Sequence, residues 1–70
     1  MKSLSAKKLL GILQKNGFVV TRQKGSHIIL LNLITGKTVP VPFHSGTKPI
    51  HIGTFMAIIK QSGLDKTLFS

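Results

Sequence analysis

Phe18-Val19-Val20-Thr21-Arg22-Gln23-Lys24-Gly25-Ser26-His27-Ile28-Ile29-Leu30-Leu31-Asn32 is the stretch that decides the fold. Its flanks, Phe18 to Arg22 and Ser26 to Asn32, are rich in β-branched and apolar residues, and the polar Gln23-Lys24-Gly25 lies between them. That is the pattern of two strands joined by a short turn. The second strand is apolar on both faces from Ile28 to Leu31. Thr35-Gly36 marks another turn. Lys37 to Pro42 is a third strand, with Val39, Val41 and Phe43 alternating onto one apolar face. Pro40 and Pro42 have no amide hydrogen for a ladder, so this strand belongs at an edge. Turns this short permit only antiparallel pairing.

Helical spacing flanks the strands. From Ser5 to Asn16, Ala6, Leu9, Leu10 and Leu13 form one apolar stripe, with Ser3 and Ser5 as candidate N-caps and Asn16-Gly17 as the stop. A second helix is predicted from Gly53 to Ser62, capped near Gly53 or Thr54. Phe55, Ile58, Ile59 and Ser62 make its core stripe, and Gly63 ends it. His44 to His51, which includes Ser45, reads as a loop. The tail from Leu64 to Ser70 allows one more turn anchored by Leu68 or Phe69. The expected fold is α+β, a two-layer sandwich ordered helix, three antiparallel strands, helix, within a single domain over residues 1–70. A double-stranded-RNA-binding domain has the same order, which by itself proves no function.

Charge narrows the function. Ten Lys and Arg face one acid, Asp65, for a formal net charge of +9. Such an imbalance points to a polyanionic partner: nucleic acid, an anionic membrane or an acidic protein. No apolar run approaches the roughly 20 residues of a spanning helix, and Met1-Lys2-Ser3-Leu4-Ser5 has no signal-peptide character. With no cysteine in the chain, a cytoplasmic location and no membrane partner are expected. Lys7, Lys8 and Lys15 line the outer face of the first helix, while Arg22, Lys24, Lys37 and Lys48 fall in turns and the loop. With almost no acids to offset them, these residues are expected to track phosphates. There is no Trp or Tyr, and the four Phe read as core, so base stacking is poorly supported.

One acid and no cysteine exclude paired carboxylates, two-metal phosphoryl transfer and a thiolate nucleophile. A Ser-His-Asp triad would need Asp65, beyond the second helix, and no Walker-type phosphate loop exists. The spacings of His27, His44 and His51 match no metal motif, so neither metal nor cofactor is expected. Histidine plus cations remain. That set suits RNA, whose 2′-hydroxyl is an internal nucleophile: the protein has only to move protons and stabilise developing charge. Gly25-Ser26-His27 is the sharpest local feature. Gly25 and Ser26 let a phosphate approach the backbone, His27 would project from the start of a rigid strand, and Arg22 and Lys24 lie just upstream. The same tripeptide also fits an ordinary surface histidine after a hairpin, and the residues alone leave both readings open. His44 is either a phosphate contact, an assistant to His27 or a plain loop residue. His51 reads as a loop residue before the helix.

Several segments in order carry a resemblance: Leu9-Leu10 through Lys15-Asn16-Gly17-Phe18, Arg22-Gln23-Lys24-Gly25-Ser26-His27, Val39-Pro40-Val41-Pro42 with His44, and Gly53-Thr54-Phe55 through Ile58-Ile59-Lys60-Gln61-Ser62-Gly63-Leu64. Together they cover nearly the whole chain, and the sequence resembles the HicA family of toxins from toxin–antitoxin systems. The resemblance implies a fold like the double-stranded-RNA-binding domain and ribosome-independent mRNA cleavage by the histidine of Gly-Ser-His, here His27. It also implies a cognate HicB-family antitoxin that covers the toxin and blocks its active site. No small-molecule ligand is expected. Two departures stand out: the continuous apolar run Ile28-Ile29-Leu30-Leu31, and Met56 where relatives commonly carry a basic residue. Both are expected to expose apolar surface suited to the antitoxin. The competing functions are a non-catalytic RNA-binding module and a small adaptor for an acidic protein.

Overall fold

The computed structural model describes residues 2–44 and 46–70; Met1 and Ser45 lie outside the described residues. Helix α1 (Ala6–Lys15) leads into three strands, β1 (Phe18–Lys24), β2 (His27–Asn32) and β3 (Thr38–Pro42). Helix α2 (Ile52–Ser62) follows, then a short 3-10 helix (Lys66–Phe69). The strands form one antiparallel sheet in the order β1-β2-β3. This is the α+β arrangement of a double-stranded-RNA-binding domain.

One face of the sheet is buried. Phe18, Leu30, Val39 and Val41 lie under Ala6, Leu9 and Leu13 of α1 and Phe55, Ile58 and Ile59 of α2. Phe69 closes this core from the tail, its ring edge-on to Phe55 at 6.3 Å between centroids, while Leu68 stays exposed. Leu9, Leu13, Phe18, Leu30 and Phe55 are at most 1% exposed, and each contributes roughly 1.5–3 kcal/mol by leaving water. The stripe predicted for α2 is wholly buried, including Ser62, whose hydroxyl donates to the Ile59 carbonyl at 2.6 Å and accepts from Leu64 N–H at 3.1 Å.

The prolines sit at the edge, as their chemistry requires. Phe43 N–H donates to the Ser26 carbonyl across the ladder. Strand alternation then turns the nitrogens of Pro40 and Pro42 away from β2, toward solvent, where no donor is needed. This also blunts the free edge against pairing with another chain.

Local boundaries differ from the sequence expectation at β1 and α2, and one of the two candidate caps of α1 is selected. Strand β1 runs on to Lys24, so the turn is only Gly25-Ser26. Gly25 has φ +61° and Ser26 does not have positive φ, the sign pattern of a type II′ hairpin turn. Helix α1 is capped by Ser5, whose hydroxyl accepts from Lys8 N–H, whereas the Ser3 hydroxyl donates to the Ile50 carbonyl. Helix α2 begins one residue early, and its N-cap is His51 rather than Gly53 or Thr54.

Candidate functional site

The site begins with a defect in β1. Val20 pairs with Leu30, but Arg22 pairs with Ile29, so Thr21 is an extra residue in a β-bulge. Its hydroxyl donates to the Ile29 carbonyl at 3.1 Å. Strict alternation from Phe18 would put Arg22 and Lys24 on the buried face. The bulge shifts the count by one, which sends both to the bare face of the sheet. There Lys24 is the cross-strand partner of His27, and His27 in turn is the partner of Pro42. Cross-strand partners sit about 5 Å apart at Cα, and Arg22 is a diagonal neighbour of His27 at about 7 Å. His27, Lys24 and Arg22 are all exposed. A rigid ladder therefore presents one imidazole and two cations side by side.

The rest of the molecule concentrates positive charge at this same end. Helix α1 ends beside Asn32, and α2 ends at Gly63 beside Lys37, both at the other end of β2. Both helix N-termini therefore point toward the His27 end, each carrying roughly half a positive charge from its aligned peptide dipoles. Neither has an acid in its first turn. Lys7 and Lys8 are exposed in the first turn of α1. Residues 46–51 of the loop return to the same place, held by the bridge Ser5↔Pro49 and by Lys7 N–H donating to the Gly46 carbonyl. Gly46 has φ +78°, and a Cβ there would stand 2.8 Å from the Phe43 ring. Only glycine permits both the turn and this close approach. Between the loop and the two helices opens a cleft of about 460 Å³ whose walls include His44, Lys48, His51 and Thr54.

Most of the residues singled out from the sequence thus meet at one end: His27, Arg22, Lys24, Gly25, Ser26, His44, Lys48, Lys7 and Lys8. Lys15 and Lys37 do not join them. Lys15 ends α1, and Lys37 lies along the C-terminus of α2, its Nζ 2.9 Å from where a Cβ on Gly63 would be. Strand β2 separates them from His27 by about 17 Å at roughly 3.4 Å per residue. Asp65 is also remote. It caps the 3-10 helix, and the backbone N–H and hydroxyl of Thr67, with Lys66 nearby, hold its carboxyl below the ordinary range. It takes no part in a triad.

Sequence reasoning missed His51. Its Nδ1 accepts from Gly53 N–H at 3.2 Å, a role usually given to Ser, Thr, Asp or Asn. No residue preference signals it. The apolar departures are also redistributed. Only Ile29 and Leu31 of the β2 run face the bare sheet beside exposed Val19, while Leu30 is buried and Ile28 packs against the core. Met56 is exposed on α2, in the opposite layer. The two departures therefore do not form one patch. Among the described residues, no group of three His, Cys, Asp or Glu side chains comes together, and no helix is long and apolar enough to cross a membrane.

A search of curated proteins found no match. The family model described as HicA toxin of bacterial toxin-antitoxin matches residues 6–64, from the first residue of α1 to just past the glycine that ends α2. The match takes in the bulged hairpin with His27, the β3–α2 loop and both helices. The chain belongs to the HicA toxin family of bacterial toxin–antitoxin systems.

Proposed function

We propose that this toxin is a metal-independent endoribonuclease that cleaves mRNA at His27, in the cytoplasm, and that a HicB-family antitoxin restrains it. The observation that carries the reading is the rung formed by Lys24 and His27, with Arg22 brought to the same face by the bulge. The chemistry is transesterification. The ribose 2′-oxygen bonds to phosphorus, the bond to the 5′-oxygen breaks, and the products are a 2′,3′-cyclic phosphate and a 5′-hydroxyl. One proton leaves the 2′-hydroxyl and one is delivered to the leaving oxygen. His27 handles one of these transfers, a role typically worth 10²–10⁴-fold. Lys24 and Arg22 stabilise the charge that builds on the phosphorane oxygens. Gly25 supports close approach of the phosphate: a Cβ there would meet nothing within 4 Å, so the space above the turn is open.

The bare sheet face suits the antitoxin. Ile29 lies next to the His27 rung on this face and the Val19–Leu31 pair lies one rung beyond it, so a protein spanning the face from Leu31 to His27 would cover the catalytic residue. A chain with a net charge of +9 favours an acidic one. RNA cleavage by the purified protein in EDTA, wild type beside His27→Ala, tests the reading. Cleavage by the wild type alone, with circular dichroism showing both folded, is expected. Equal cleavage by both would remove His27 from the mechanism. RNA binding without cleavage by the wild type would favour a non-catalytic RNA-binding module.

A further inference from the structure

The cleft between the β3–α2 loop and the helix N-termini is not needed for the chemistry at His27, yet its composition is specific. Two histidines, a lysine and a threonine line it, and Asp65, the one acid of the chain, lies at the other end of the molecule. Its remaining wall is apolar, with Ala6, Pro42 and Ile50. Its volume of about 460 Å³ is that of a small-molecule pocket rather than of a single ion. Among the described residues, the side chains of His44 and Thr54 make no hydrogen bond within the protein. His51 is different. Because its Nδ1 accepts from Gly53 N–H, the neutral ring must carry its proton on Nε2. The cap therefore makes His51 a fixed hydrogen-bond donor, and protonation at Nδ1 would break the cap. Donors and cations on one wall and apolar carbon on the other suit a phosphate together with its sugar.

Position decides whose phosphate it is. Pro42 lines the cleft and is also the cross-strand partner of His27, so the cleft opens next to the rung that would hold the scissile phosphate. We infer that the cleft is a second nucleotide subsite. It binds a phosphodiester of the same RNA strand, flanking the one at His27, through His44, Lys48, His51 and Thr54. This rests on the RNA-cleavage reading for the identity of the ligand, but not for the cleft itself.

The test uses the His27→Ala protein, which is expected to hold RNA without cutting it, and a short single-stranded RNA oligonucleotide in EDTA. On titration, the amide resonances of His44, Gly53 and Thr54 should shift together with those of Lys24 to His27. Adding His51→Asn keeps a good helix cap, since asparagine is among the best N-cap residues, but removes the Nε2 donor. RNA affinity should then fall about tenfold or more, the loss of one hydrogen bond to a charged acceptor, with helicity unchanged. Shifts confined to Lys24–His27, with the double variant binding as tightly as His27→Ala alone, would overturn the subsite and leave the nuclease reading intact. Shifts at the cleft with inorganic phosphate but none with RNA would overturn its assignment to the RNA strand. Cleft shifts and weaker binding by the double variant, together with a wild type that cuts no RNA, would uphold the subsite and end the nuclease reading.

Discussion

The two ends of the sheet are built on opposite principles. At the Asn32 end, polar groups are tied to one another. Asn32 is 4% exposed, and its side-chain oxygen accepts from Ile34 N–H at 2.9 Å and Thr35 N–H at 3.1 Å. Its amide donates to the Asn16 carbonyl at 3.3 Å, and its own carbonyl accepts from Gly36 N–H at 2.8 Å. Asn16 in turn donates from its side chain to the Ile12 carbonyl, closing α1. Lys37 lies against the negative end of α2, and Asp65 caps the turn beyond it. At the His27 end, Arg22, Lys24, His27, Lys7 and Lys8 are exposed, and both helices turn their positive ends to them. Like charges gathered with no acid among them repel one another. That arrangement opposes folding and favours binding of an anion. One end holds the fold, and the other is left for a ligand.

Variants at the two ends should separate accordingly. The largest structural effect is expected from Asn32→Ala, which leaves the Ile34 and Thr35 amides and the Asn16 carbonyl without partners. It should lower the unfolding free energy by about 2–3 kcal/mol. In a domain of this size that is a fall in Tm of roughly 10–20 °C, measurable by thermal and urea denaturation. An unchanged Tm would break the comparison at its stable end.

Lysines then discriminate between the ends more finely. Lys24→Gln should reduce the slope of log affinity for single-stranded RNA against log salt by about 0.7, the contribution of one phosphate contact. Lys37→Gln should leave that slope unchanged and cost about 0.3–1 kcal/mol of stability through the α2 terminus. Equal salt slopes for the two variants would show a surface that binds RNA without regard to end.

The smallest effect belongs to Asp65. Its folded-state pKa is held down first by Thr67 N–H, then by the Thr67 hydroxyl and by Lys66. A depressed carboxylate contributes stability above its unfolded-state pKa, near the ordinary aspartate value of about 3.9, and loses it as pH falls through the folded value. Denaturation followed from pH 6 downward (the acid limb lying below about pH 4) should show a slight loss that Asp65→Asn lacks. The group is exposed, so the difference will be small.

Much of this was legible in the sequence, and the gaps have physical causes. The α2 stripe, the edge position of the proline strand and the antiparallel meander follow from period and backbone chemistry, which neighbouring residues carry by themselves. The bulge at Thr21 does not. A period of two counts residues evenly, so it assigns Arg22 and Lys24 to the face of Phe18, and only the pairing with Ile29 and His27 shows otherwise. The place of Lys37 depends on Gly63, far along the chain, and the cleft depends on a loop held by Ser5 and Lys7. Gly25-Ser26-His27 was visible as a candidate site. That His27 has Lys24 as its partner, rather than Gln23, was not, because one extra residue decides it.

The most direct test of the division between the ends is to measure His27→Ala and Asn32→Ala side by side for RNA cleavage per folded molecule and for unfolding free energy. The account predicts that His27→Ala loses about 10²–10⁴-fold in cleavage at unchanged stability, while Asn32→Ala loses stability and still cleaves when folded. Cleavage by His27→Ala at the wild-type rate would contradict it.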